Sequence, residues 1–232
     1  MIGSDLRVKL TLWHLLRSMN AKFESLFADL KSSSQETQNE SALILGCLLE
    51  RALWPGRYDA QHQSFLPKEA VELRLESDSE IEAFIQDLAE ALESPDVSIN
   101  TKISLSTFLA KTGRVNCVTA ILQLLKSEVD TLDDRQAYAL IAPVLPGSQP
   151  SLLEKFEPTL NQLLTRKSEH LNQPVAMSLR SIYRWRQKLY PDEPRHRQDE
   201  MNLPPPKPTP SFDEMDKGTQ DLARRMRKTG EI

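Results

Sequence analysis

Residues 79–125 read SEIEAFIQDLAEALESPDVSINTKISLSTFLAKTGRVNCVTAILQLL. Ile81, Phe84, Ile85, Leu88 and Leu92 recur three and four apart, which places them on one face of a helix. Ser79 with Glu82 reads as a capping box that opens it. Ser94-Pro95 closes it, and Asp96 reads as the cap of a second helix carrying Ile99, Ile103, Phe108 and Leu109. Gly113 suits a helix C-terminus, because the left-handed residue there carries no Cβ penalty. Val115, Val118, Ile121, Leu122 and Leu125 then make a third apolar stripe. Three amphipathic helices with short punctuation predict an all-α chain.

The same grammar continues downstream. Asp133-Asp134 starts a helix through Tyr138 and Ile141, stopped by Pro143, Pro146 and Gly147. Pro150 stands in the first turn of the next, with Leu152, Leu153, Phe156, Leu160 and Leu163 on its face. Pro174 reads as the opening of the last, which carries Met177, Leu179, Ile182, Trp185 and Leu189. These starts fall near 79, 96, 114, 133, 150 and 173, so alternate starts lie 35, 37, 36 and 40 residues apart. Such a rhythm is expected of a stack of helical hairpins, a solenoid-like fold; an irregular helical bundle is the other architecture it allows.

Leu105, Leu109, Gly113, Val118 and Leu122 resemble the helix–turn–helix core of a tetratricopeptide or pentatricopeptide repeat. Val118 stands where alanine is typical, and the likeness is confined to this one hairpin. The neighbouring pairs are similar to the looser pattern of HEAT-like repeats. The resemblance implies an interaction scaffold and assigns no ligand residues.

Upstream, residues 5–31 read as one long helix or two joined near Asn20, with Leu12, Leu15, Met19, Phe23, Leu26 and Leu30 on one face. The polar run 32–40 is a loop or the lead into the next helix. Residues 41–54 are apolar nearly all round, which predicts a central buried helix stopped by Pro55-Gly56. Within 57–77, Val71, Leu73 and Leu75 alternate with charged residues, a strand period that leaves two readings open, an irregular excursion or a small β-hairpin. The domain so defined is 1–190. Seven of the 15 prolines then lie between 191 and 210, which reads as a semi-extended linker. Residues 211–232 read as a short amphipathic segment or a disordered tail.

Composition narrows the function classes. Seven glycines, all isolated, against about 16 at ordinary usage, disfavour hairpin-rich β folds and phosphate-cradling loops. Cys47 and Cys117 lie seventy residues apart and are expected to be lone thiols in a reducing compartment. His14, His62, His170 and His196 share no metal-ligand spacing, and no nucleophile elbow, Walker loop or dinucleotide fingerprint occurs. No cofactor, metal or catalytic residue is therefore expected, and the chain reads as a non-enzyme. Arg7, Lys9 and Arg17 break the N-terminal apolar residues, and no apolar run reaches the length of a membrane span. The expected setting is the cytoplasm, without membrane contact.

Charge is segregated within a net of −4. Residues 69–96 hold ten acids and one base, a solvated helix face or a dock for a basic partner. Arg180, Arg184 and Lys188, four apart, make a cationic stripe that Arg186 joins, with Tyr183, Trp185 and Tyr190 interleaved. Their charged heads are expected in water, where they suit an acidic partner or phosphates. In the tail, Phe212, Met215, Leu222 and Met226 fall on one helical face, with acids at its start and Arg224, Arg225, Arg227 and Lys228 at its end. That is the pattern of a segment that folds into a partner's groove. Two functions follow as expectations. The first is a protein–protein interaction or scaffold subunit of a larger assembly, an adaptor with a helical body and a C-terminal linear segment. The second is a nucleic-acid-associated accessory protein that touches phosphates directly or through such an assembly.

Overall fold

The computed structural model describes residues 23–54, 73–193 and 195–206, and of residues 195–197 the helix backbone alone. Expectations for the first 22 residues, for most of 57–77 and for the segment from 207 onward lie outside the described residues. The helices are α1 (Glu24–Asp29), α2 (Gln35–Leu53), α3 (Asp78–Glu93), α4 (Ile99–Lys111), α5 (Val115–Glu128) and α6 (Asp134–Ile141). After them come α7 (Pro150–Leu153), α8 (Glu157–Thr165), α9 (Glu169–Leu189) and α10 (Arg195–Met201), with a single 3₁₀ turn on either side of α7. Among the described residues there is no strand, so the fold is all-α. Leu73 and Leu75 lie in backbone without regular structure, half-buried against the core.

Caps explain where the helices begin, and several sit a few residues from the positions the sequence suggested. The Ser77 hydroxyl, not that of Ser79, accepts the Glu80 N–H, while Glu80 reaches back to the Glu76 N–H at 2.6 Å. Ser98, rather than Asp96, caps α4 by accepting from the Thr101 N–H. Asp133 and Gln136 form a reciprocal capping box at α6. Helix α9 starts at Glu169, so Pro174 lies inside it instead of opening it. The first turn is held by the buried Leu171, a contact that overrides proline's preference for a helix start. Gly113 adopts φ 65° just beyond α4, as a C-terminal glycine should. With α7, the 3₁₀ turn after it and α8 counted as one interrupted helical segment (150–165), alternate starts from α3 onward lie 37, 35, 35 and 35 residues apart (78 to 115, 99 to 134, 115 to 150 and 134 to 169). The period is tighter than the sequence punctuation indicated.

Helix α3 packs on α4 and α5, α4 on α5 and α6, and α5 on α6. Helix α2 lies along α4 and also touches α3. It is apolar as expected but not buried all round: Leu43 is 54% exposed, while Leu45, Leu48 and Leu49 are buried. Gly46 faces the Phe108 ring so closely that a Cβ there would overlap ring atoms. Beside that contact, the buried Gln38 amide donates to the Ser32 and Asp96 carbonyls at 2.7 and 2.9 Å. Its carbonyl accepts from the Ser98 N–H at 2.9 Å and from the Thr101 hydroxyl at 3.2 Å. One side chain thus satisfies two loops that would otherwise bury bare polar backbone. Arg166 does similar work at the other end, donating to the Leu132 and Val129 carbonyls just past α5.

Truncating Leu48 or Leu122 to Ala removes side chains that are 1% and 0% exposed. Each variant is expected to lose about 2–5 kcal/mol in urea unfolding, and Gly46→Ala about 1–3 kcal/mol through overpacking against Phe108. A loss under about 1 kcal/mol for both leucines would mean that the core is elsewhere.

Candidate docking surface on the last long helix

Helix α9 has two opposite stripes. Leu171, Val175, Leu179 and Ile182 fall three or four apart and are buried against α6, α7 and α8. Tyr183 widens this stripe, and burial together with the nearby Glu157 charge raises its pKa. The next position on the core side, four beyond Ile182, is Arg186. It lies about 200° around the helix from Arg184 at 100° per residue, so it cannot belong to the same stripe. Its guanidinium meets Glu154 at 2.8 Å and Glu157 at 2.5 Å. Burial, the largest single influence, works against its charge, but the hydrogen bonds and the negative charges of Glu157 and Glu154 together hold the guanidinium above its ordinary pKa.

The outward stripe runs through Met177, Arg180, Ser181, Arg184, Trp185 and Lys188. With Pro150 and Pro206 it lines an open groove of about 430 Å³. Met177 is 58% exposed and Leu189 50%, so neither packs in the core face where the apolar periodicity placed them. Trp185 is half-buried. Of the seven large apolar side chains exposed among the described residues, Met177 and Leu189 belong to α9, Tyr190 directly follows it, and Met201 ends α10, which packs along α9. Exposed apolar surface is therefore concentrated at this end of the molecule, where contiguous patches mark interaction sites.

The predicted cations divide. Lys188 and Arg184 are exposed; Arg184 pairs with Glu200 at 2.7 Å, and Lys188 has no carboxylate partner among the described residues. Arg180 departs from the expectation that its head lies in water: it is 9% exposed and donates to the Pro204 carbonyl. Its Nη1 is buried with no hydrogen-bond partner. The cause is the chain after α9: of the expected linker 191–210, the described residues 195–206 turn back on that helix instead of extending away from it. Helix α10 packs along α9, Glu200 takes hydrogen bonds from Arg184 and Gln187, and Leu203 packs against the core. The polyproline-biased composition concealed this because one Glu and one Leu carry the contact.

Phe212, Met215, Leu222, Met226, Arg224 and Arg225 lie outside the described residues. The acidic stretch falls largely on α3, where Glu82 pairs with Arg114, Glu80 is a cap, and Glu90 and Glu93 line a second, polar groove beside α5. Cys47 and Cys117 are free thiols, and burial raises the pKa of Cys117. His170 lies 6.1 Å from the Tyr138 ring, centroid to centroid. No group of three or more His, Cys, Asp or Glu side chains among the described residues is placed to hold a metal ion. No described helix is long and apolar enough to cross a membrane.

No protein-family model matches this chain, and comparison with curated proteins and with solved structures gave no match.

Reversing Lys188 to Glu is expected to leave the thermal midpoint within about 2 °C, as for other exposed charges without a partner. Arg186→Glu is expected to lower stability by about 2–4 kcal/mol, because it sets three carboxylates against each other at a half-buried site. Thermal melts of the two variants side by side check this division. Equal losses would erase it.

Proposed function

We propose that this chain is a non-enzymatic interaction subunit, an adaptor or scaffold within a larger cytoplasmic assembly. The observation that carries the reading is the outward stripe of α9. Exposed Met177 and half-buried Trp185 sit in an open groove bordered by Arg184 and Lys188. Apolar anchors with flanking charge are the anatomy of a peptide- or helix-binding face. The stacked helices supply a rigid support, since one face of α9 is committed to the core and the other is not. The C-terminal segment, with Phe212, Met215, Leu222 and Met226 among charged residues, supplies a second, linear recognition element. A helical-repeat ancestry of the tetratricopeptide or HEAT kind fits this role and remains part of the proposal.

Direct phosphate binding is the weaker reading. It would draw on Arg184 and Lys188, because Arg180 bonds the Pro204 carbonyl and Arg186 bonds two carboxylates.

The test is co-purification from the native host with the wild-type chain and with Met177→Glu. The substitution adds a charge to an exposed apolar side chain, so the fold should hold. A discrete partner retained by wild type and reduced about tenfold by the variant is expected, as for loss of an interface anchor. Equal retention, or no partner with either chain, contradicts the reading. Salt-sensitive binding of pure protein to short nucleic acids would favour phosphate contact instead.

A further inference from the structure

The groove on α9 has a built-in deficit. Arg180 lines it, is nine-tenths buried, and spends one amino group on the Pro204 carbonyl while Nη1 has no acceptor. No described carboxylate lies within 4 Å of this guanidinium, so a buried positive charge lacks an anion among the described residues. A buried, uncompensated cation is costly and calls for a carboxylate acceptor. The rest of the groove asks for apolar contact at Met177 and Trp185 and for negative charge near Lys188.

We propose that the occupant is the chain's own segment 212–216, Phe-Asp-Glu-Met-Asp, docked in cis along the outward stripe of α9. Three features select it. First, Pro206 lines the groove itself, so the chain leaves the described structure at the site. Residues 207–211 then reach about 17 Å at 3.3–3.6 Å each. The stripe from Met177 to Lys188 is about 16 Å long at 1.5 Å per residue, so the tether can bring the segment to any point along it. Second, the chemistry matches. In a polyproline II conformation, with three residues per turn, Phe212 and Met215 share one face about 9 Å apart and can reach Met177 and Trp185, about 12 Å apart along α9, while Asp213, Glu214 and Asp216 provide acceptors for Arg180 and Lys188. The later part of the tail does not match: Leu222 and Met226 come with Arg224, Arg225, Arg227 and Lys228, which the groove's own cations repel. Third, a tether this short gives an effective concentration of the order of millimolar, so even a weak intrinsic contact is populated.

The consequence is a docking face that covers itself. A partner must displace 212–216 to reach Met177 and Trp185, and displacement frees the tail, basic end included. This inference rests on α9 being a docking face. Its test uses purified full-length chain with no partner present, so its failure leaves the co-purification result standing, and the reverse also holds.

The experiment is zero-length carbodiimide coupling at low micromolar protein, with monomer and dimer fractions separated before the joined peptides are mapped. The expected product is an amide between Lys188 and Asp213, Glu214 or Asp216 in the monomer. Coupling of the same carboxylates to Lys207 or Lys217 is the internal control. The variant Phe212→Ala/Met215→Ala keeps all charges and should lower the Lys188 product about tenfold while leaving the control unchanged. No Lys188 product in the monomer overturns the proposal, as does the same yield from the double variant. The product confined to the dimer fraction also overturns it, and shows a second copy as the occupant.

Discussion

Burial of Leu171, Val175, Leu179 and Ile182 sets the rotation of α9, the ion pairs of Arg186 with Glu154 and Glu157 close the same face, and the remaining features of the candidate surface depend on that rotation. A helix with cations at 180, 184, 186 and 188 has two ways to face a core. If Arg186 lay in water, Met177 and Trp185 could turn inward with Leu189. Glu154 stands in the 3₁₀ turn after α7, and Glu157 is the first residue of α8. Together they meet Arg186 on the core side, beside Ile182 and Tyr183, while Met177, Arg184 and Lys188 face outward.

The same constraint organises the chain that follows. With Arg184 turned outward, Glu200 of α10 can meet it, and α10 lies down along α9. That brings the Pro204 carbonyl to Arg180 and carries Pro206 to the groove. A fold-defining contact and a surface-defining contact thus share one helix, and neither face can be redesigned without the other.

Much of the fold was legible because short-range rules govern it. The period of Phe84, Ile85, Leu88 and Leu92 named α3, and all four are buried. Asp133 and Gly113 act where their chemistry suggested. Caps were misplaced at Ser79 and Asp96 because Ser77 and Ser98 are equally good acceptors, and packing decides among near neighbours. On α9 the apolar pattern misled. Met177, Trp185 and Leu189 make as regular a stripe as Val175, Leu179 and Ile182, and only tertiary partners separate them. The cationic stripe was visible as spacing, but which cations stay in water depended on Pro204, Glu154 and Glu157, partners 24 to 32 residues away in sequence. A signal did exist for Arg186, since it continues the core period after Leu179 and Ile182.

The most direct measurement is a double-mutant cycle in urea on Arg186 and Glu157, with Arg186→Glu, Glu157→Arg and the exchanged pair. If the Arg186–Glu157 pair closes the seam between α8 and α9, the exchange restores at least about 1 kcal/mol beyond the sum of the two single losses. Additive losses, within about 0.5 kcal/mol, would show the two charges to be uncoupled and would contradict the account.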